Sequence, residues 1–509
     1  MPADVIVIGL DAAEATLVER WAAEGDLPTF ARLGDEGAVC RLGNSLESLP
    51  GAIWPEITMG RACGKVAHFY HPRQLHTGET RLRAIEYDEV DPSLYYWSVA
   101  SEAGRRVAVV DQPQTVLTPG LNGIHLLEWG LHDRNFRIQS EPPELLDEIR
   151  SRYGDHPVDS CDRAHGSSAG GYERLLADLL AGVEKKEALL LDLLGREPWD
   201  LFACAFGETH CVGHQFWHFQ DPRVPAHDPA APRELRQAIR AVYRRVDAAI
   251  GELLEAAGPD SAALVVLSHG MGRYIGGYQL LPEFLVRLGF GSGRGTAAQV
   301  RSRLPRPLRS LARRVVPGRA RQKLQTAAGS LSWPLESTAT RAIAVPNNRC
   351  GAIRLNLKGR EPYGAVEPGL EEQALLEELR QELLALEDPA TGERIVVRAV
   401  TATEKFGRDR HPDTPDLMVV FRTDLGLIEH CRSERVGLLH VPVDDPNTPR
   451  TGDHTVESRL WIRDGSISGG TRLPDACVLD IGPTVLELLG VPVPETMDGR
   501  TLLPATAEA

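Results

Sequence analysis

The sequence predicts an α/β fold, with a central, mostly parallel sheet flanked by helices on both faces and with inserted cap segments. Three apolar runs carry that expectation, and each meets polar residues at once. They are residues 5–10 (VIVIGL) before Asp11, residues 200–206 (DLFACAF) before Gly207 and Glu208, and residues 262–267 (AALVVL) before Ser268 and His269. Continuous apolar runs suit strands covered on both faces. The carboxyl ends of such strands are where open α/β sheets bind ligands.

The other elements follow in order. Residues 14–37 read as helical, 106–110 (RVAVV) as a strand, and 142–153, 172–194 and 232–257 as helices. After these come a strand at 352–357, a helix at 371–387, a strand at 416–421 and a late helix at 481–489 behind Asp480. Strand, polar loop and helix in alternation is the α/β pattern. The chain reads as a single domain over 1–509, with 273–345 as an insertion or cap segment within it. Inside that segment, residues 301–323 hold nine Lys or Arg and no Asp or Glu. Leu304, Leu308, Leu311 and Val315 fall there at helical spacing, but Pro305, Pro307 and Pro317 interrupt it. It reads as a solvated insertion rather than an anion-seeking helix.

Composition narrows the function classes. With 42% hydrophobic and 25% charged residues the chain is an ordinary globular protein. No stretch reaches the roughly 20 apolar residues of a membrane span. Its start lacks the basic n-region of a secretory leader, so a cytoplasmic location is expected. The eight cysteines include no CxxC pair, which predicts free thiols and no zinc ribbon. A net charge of −15 speaks against a nucleic-acid-binding module. It leaves room for a small phosphorylated substrate, because a bound cation can invert the local field.

The candidate chemistry sits at the three strand ends and in one late cluster. Asp11 follows the first strand. Glu208, His210, His214 and His218 follow the second, and His269 the third. Arg450, Asp453 and His454 lie near the C-terminus. His210 and His214, four apart, share one face if helical and can hold one metal. A lone histidine is usually a satisfied surface or core residue. Several converging on one sheet edge favour a metal site.

These stretches resemble the type I phosphodiesterase/nucleotide pyrophosphatase branch of the alkaline phosphatase superfamily. VIVIGLDAAE is similar to its first strand and metal-binding Asp, LPGAIWPEITMG to its nucleophile loop and helix, ETHCVGHQFWH to its D-x-x-x-H motif, VVLSHGMG to its S-D-H-G motif, and RTGDH to its C-terminal metal-binding His. GAIRLNLKGREPYG and VLDIGPTVLELLGVPVPETMDGRTL resemble two further stretches of its prokaryotic members. The resemblance implies an alkaline phosphatase-like fold and a metal-dependent hydrolase of phosphate esters, with divalent metal, one or two ions of zinc. Asp11, His269 and the nucleophile would then serve one ion, and His214 and His454 the other.

The sequence departs from the family pattern at three places that matter to this assignment. His210 stands where the family has Asp, with Glu208 as an alternative carboxylate. Ser268 stands where the family has Asp, which predicts a weaker or missing ion beside Asp11 and His269. Counting back from Trp54 puts Pro50 at the nucleophile position, whereas the Ser48-Leu49-Pro50 order fits the family's nucleophile-then-proline rule; Ser48 is therefore the expected nucleophile, with Ser45 behind it. The ordinary reading of Ser48 is a turn or helix-capping serine. A sulfatase is not expected, since Ala52 stands where its Arg is required. The alternatives carried forward are a phosphoryl transferase or mutase on the same site, and a non-catalytic relative that binds a phosphorylated ligand.

Overall fold

The computed structural model describes residues 3–66, 75–80, 82–131, 136–158, 169–291, 337–345, 350–440 and 450–504. The chain divides into two compact units. One comprises Met1–Tyr70, Ile85–Ile275 and Asp444–Ala509, and the other His71–Ala84 and Gly276–Val443. Where a single domain with an insertion at 273–345 is expected, the second unit runs on to residue 443. Residues 292–336, and with them the whole basic stretch 301–323, lie outside the described residues.

Strands of the first unit appear in the order β1 (Ala3–Leu10), β2 (Ala38–Gly43), β3 (Val107–Val110), β4 (Gly123–Leu127), β5 (Gln139–Glu141), β6 (Trp199–Phe206), β7 (Ala262–Leu267) and β8 (Gly270–Arg273). The second unit contributes β9 (Ala342–Val345), β10 (Gly351–Leu355), β11 (Val396–Thr401), β12 (Leu417–Phe421), β13 (His430–Ser433) and β14 (Gly437–His440). The chain then returns with β15 (Gly452–Thr455), β16 (Arg459–Arg463), β17 (Thr471–Arg472) and β18 (Ala476–Cys477).

The main sheet runs β17-β2-β16-β7-β1-β6-β3-β4-β5, with β18 beside β2. Its centre, β7-β1-β6-β3-β4, is parallel. β16 pairs antiparallel with β7 and β2, and β5 with β4. Helices cover both faces. Ile6, Ile8 and Leu10 of β1 enter a core with Val18, Phe30, Leu190 and Ile250 from four helices: Ala15–Ala23, Pro28–Glu36, Ala169–Gly195 and Ala238–Ala257. On the opposite face, a Cβ at Gly9 would stand 2.6 Å from the Trp54 ring. Glycine is what lets the short Ile53–Met59 helix seat there.

The second unit has its own antiparallel sheet, β11-β12-β10-β9. The Leu370–Leu384 helix buries Leu375, Leu379 and Leu383, one every turn. Among the described residues no helix is long and apolar enough to cross a membrane. Seven cysteines there, Cys40, Cys63, Cys204, Cys211, Cys350, Cys431 and Cys477, are free thiols, and Cys161 lies outside the described residues.

Candidate metal centre

Register puts three candidate positions side by side. Leu10 pairs with Phe206 on one side and Leu267 on the other. Asp11, the turn into the Glu208–Gln220 helix, and Ser268-His269 therefore leave adjacent parallel strands at one level. Asp11 is buried. Its N–H donates to the Phe206 carbonyl at 3.0 Å, its Oδ1 accepts from Trp54 Nε1 at 2.9 Å, and its carbonyl accepts from the Thr209 hydroxyl at 2.6 Å.

The helix behind β6 carries His210 and His214 one turn apart. The third member comes from β15, which pairs antiparallel with β8 and so brings His454 opposite Met271. The three Nε2 atoms form a triangle. His214 to His454 measures 3.0 Å, while His210 lies 3.1 Å from each of them. All three rings are buried. His214 donates Nδ1–H to the Gly452 carbonyl at 2.8 Å, which leaves the neutral ring a lone pair on Nε2.

This donor set fits a divalent ion. Nitrogens bound tetrahedrally at 2.0–2.1 Å are spaced roughly 3.3 Å apart, close to the triangle's edges. The trio is the group of ligand-type side chains gathered within 4.8 Å of one another among the described residues.

Glu208 is not part of it. Two residues before His210 on a helix, it projects to another side. Its Oε1 meets His156 Nε2 at 3.0 Å and lies 3.8 Å from Lys186 Nζ. Lys186, fully buried, also donates to the carbonyls of Gly130 and Ala205 at 3.0 and 3.1 Å and pairs with Asp111 at 3.2 Å. Burial disfavours every charge here, yet Lys186 and His156 hold the Glu208 carboxyl below its usual range, and Glu208 and Asp111 hold the Lys186 ammonium above its own. His218, a turn past His214, faces Thr451 at 3.0 Å. Burial and nearby His227 push its pKa down to about 4.

His269 lies edge-on to His454, ring centroids 4.4 Å apart. Its Nδ1 is 2.9 Å from Ser268 Oγ, and that hydroxyl reaches the Leu10 carbonyl at 3.3 Å. Donating there, the hydroxyl accepts a hydrogen bond from the His269 Nδ1–H, which puts the lone pair of the neutral ring on Nε2. Ser48 is buried in the turn after β2, its N–H on the Ser45 carbonyl at 2.8 Å. Ser45 spends its own hydroxyl on the Leu49 carbonyl at 3.1 Å. Asn44 ties that loop to the same edge, donating to the carbonyls of Val456 and Ser268 at 3.2 and 3.4 Å. One 3-10 turn, Pro50–Ala52, leads from this loop into the Ile53–Met59 helix.

Glu14, at the end of the VIVIGLDAAE stretch, has a role that nothing in the sequence signals. Its Oε2 accepts the Met271 N–H at 2.9 Å and the Thr455 hydroxyl at 2.6 Å, and its N–H donates to Tyr243 Oη at 2.8 Å. One carboxylate thus ties the turn after Asp11 to the ribbon that presents His454.

No curated protein matches the sequence. Similar solved structures include murine ectonucleotide pyrophosphatase/phosphodiesterase 5, at 10% identity and a TM-score of 0.49 over 96% of each chain. An inactive form of that murine protein in complex with AMP is similar at 10% identity and a TM-score of 0.49, covering 97% of this chain and 96% of that one. The human protein follows at 9% identity and a TM-score of 0.47, over 97% of each chain. The family model for type I phosphodiesterase/nucleotide pyrophosphatase matches residues 5–435, so that His454 lies past its end. The chain belongs to the type I phosphodiesterase/nucleotide pyrophosphatase family.

Proposed function

We propose that the protein is a metal-dependent hydrolase of phosphate esters, acting on a small phosphodiester or nucleotide pyrophosphate-type substrate. The observation that carries this reading is the triangle of His210, His214 and His454 nitrogens, with His214 committed by Gly452 to presenting Nε2. These three residues would hold a divalent ion, zinc by the preference of imidazole. Asp11 and His269 would hold a second, weaker one. A bound ion supplies Lewis-acid stabilisation of charge on phosphate oxygens. Ser268 in place of the family's aspartate favours one tightly held ion over two.

The remaining work falls to the chain. Ser48 is the proposed nucleophile. Its oxygen bonds to phosphorus in line as the bond to the leaving oxygen breaks, and water then cleaves the phosphoserine. Asn44 fixes the loop that carries Ser48, and Trp54 orients the Asp11 carboxylate. A cytoplasmic location belongs to the same proposal.

Metal content of the purified protein tests this together with hydrolysis of bis-p-nitrophenyl phosphate and p-nitrophenyl phosphate, with and without chelator. Bound metal and chelator-sensitive turnover that Ser48→Ala removes are expected. Metal without turnover would move the assignment to a phosphoryl transferase or a ligand-binding relative. Absence of both would sink it.

A further inference from the structure

We infer that the hairpin of β13 and β14 carries a separate two-histidine site for a borderline divalent transition ion such as Cu2+, Ni2+ or Zn2+, held by His430 and His440. The site uses no residue of the His210, His214 and His454 trio.

The register places the two histidines directly opposite each other on antiparallel strands. Opposite residues share a face, and this face is solvent-exposed at both positions. The two Nδ1 atoms are 3.0 Å apart, with ring planes at 89° and centroids 4.8 Å apart. That separation serves two states of the pair. Without an ion, one ring donates N–H to the other's nitrogen. With an ion, both nitrogens point lone pairs at one centre. Two nitrogens bound cis at about 2.0 Å are spaced roughly 2.8 Å apart in square geometry and roughly 3.3 Å in tetrahedral geometry. The observed distance lies between the two, so the nitrogens need shift by only a few tenths of an ångström while the rings turn to aim both lone pairs at the ion.

The backbone beneath is fixed. Cys431 and Leu439, on the opposite face, are buried. Arg432 and Glu387 exchange both backbone hydrogen bonds at 2.9 Å, anchoring one strand of the hairpin. Imidazole nitrogen selects Cu2+, Ni2+ and Zn2+ over the oxygen-seeking Mg2+ and Ca2+. Two protein donors leave the other coordination positions to water, so the ion is exchangeable.

The test is calorimetric titration of Cu2+, and separately Ni2+, into metal-stripped full-length protein, wild type against His430→Ala and His440→Ala. Each variant is expected to lose one binding event, or to weaken it by at least about tenfold, since outer-shell changes alone cost 10- to 100-fold in metal affinity. The electron paramagnetic resonance spectrum of the copper-loaded wild type should show coupling to two nitrogens at this site, with fewer in either variant. His454→Ala should keep the event. Identical isotherms and spectra in wild type and both hairpin variants overturn the inference. So does loss of the event in His454→Ala alone. Both side chains are exposed, and an unchanged melting temperature in the metal-free variants shows that a lost event is not unfolding.

Discussion

His214 donates its Nδ1–H to the Gly452 carbonyl across 2.8 Å, and through that bond β15 sets the ring on the helix behind β6. Removing the ring takes away one donor of three and leaves a buried carbonyl without its partner. His214→Ala is expected to weaken binding of the ion proposed for the trio on the order of 100-fold or more, and any chelator-sensitive turnover should go with it. His210→Asp puts back the family's carboxylate, which also binds zinc. That variant should keep its ion and turn over substrate. Elemental analysis beside a circular dichroism check decides. Wild-type metal content in His214→Ala would remove the trio from consideration.

Lys186 makes a different claim, about stability. Its ammonium, fully buried, is the cation between Asp111 and Glu208. Lys186→Met keeps the stem's volume and leaves two interior carboxylates short of that charge. Breaking a buried pair from one side costs about 3–5 kcal/mol, so the denaturant midpoint should fall far enough to be unmistakable. A midpoint equal to wild type would mean that water reaches the network.

The sequence made β1, β6 and β7 readable because strands buried on both faces are apolar without interruption. β2 and β16 escaped notice. β2 alternates, with Arg41 and Gly43 exposed, and β16 offers only Leu460, Trp461 and Ile462 between two arginines. The helical stretch from 14 to 37 is two helices, because Gly25 takes a φ of 84° and Pro28 opens the next. Spacing and resemblance together pointed to His210, His214 and His454, the residues the fold gathers. Glu208, the alternative carboxylate, is near them in sequence, but a helix turns through about 200° in two residues. Lys186 sits in a run, Glu184-Lys185-Lys186-Glu187, that reads as a solvated face. Only the packing of that helix shows that one of those charges points inward.

Acid should weaken the second unit through Asp413. Burial there opposes its charge, but the His76 Nδ1–H at 2.9 Å and the Thr77 N–H at 2.7 Å hold the carboxyl well below its ordinary value. A depressed folded-state pKa stabilises above the unfolded value of about 3.9, and that contribution is lost as pH falls through the folded one. Asp413→Asn removes the term at every pH. Wild type should therefore be more stable than the variant at pH 6, with the gap narrowing below about pH 4. Urea titrations across that range measure it. A gap that holds constant to pH 2 would mean Asp413 acts through packing alone.

The second ion proposed beside Asp11 and His269 turns on Ser268. It follows β7 directly, and both its N–H and its hydroxyl lie against the carbonyl of Leu10, the residue before Asp11, at 3.2 and 3.3 Å. A carboxylate at this position leaves its strand beside Asp11 and next to His269, whose Nδ1 the hydroxyl now meets at 2.9 Å. Hydroxyl is a poor ligand for a borderline cation and carboxylate a good one. Ser268→Asp is therefore expected to bind one more zinc per chain than wild type in equilibrium dialysis, and Asp11→Asn in that background should take the extra ion away. Without metal the same change buries a second carboxylate beside Asp11 with no cation between them, so the apoprotein should be less stable than wild type and zinc should restore it. If the variant binds no further zinc, or binds it equally well without Asp11, the second site is not where the family places it, and the weak point of this centre is not Ser268.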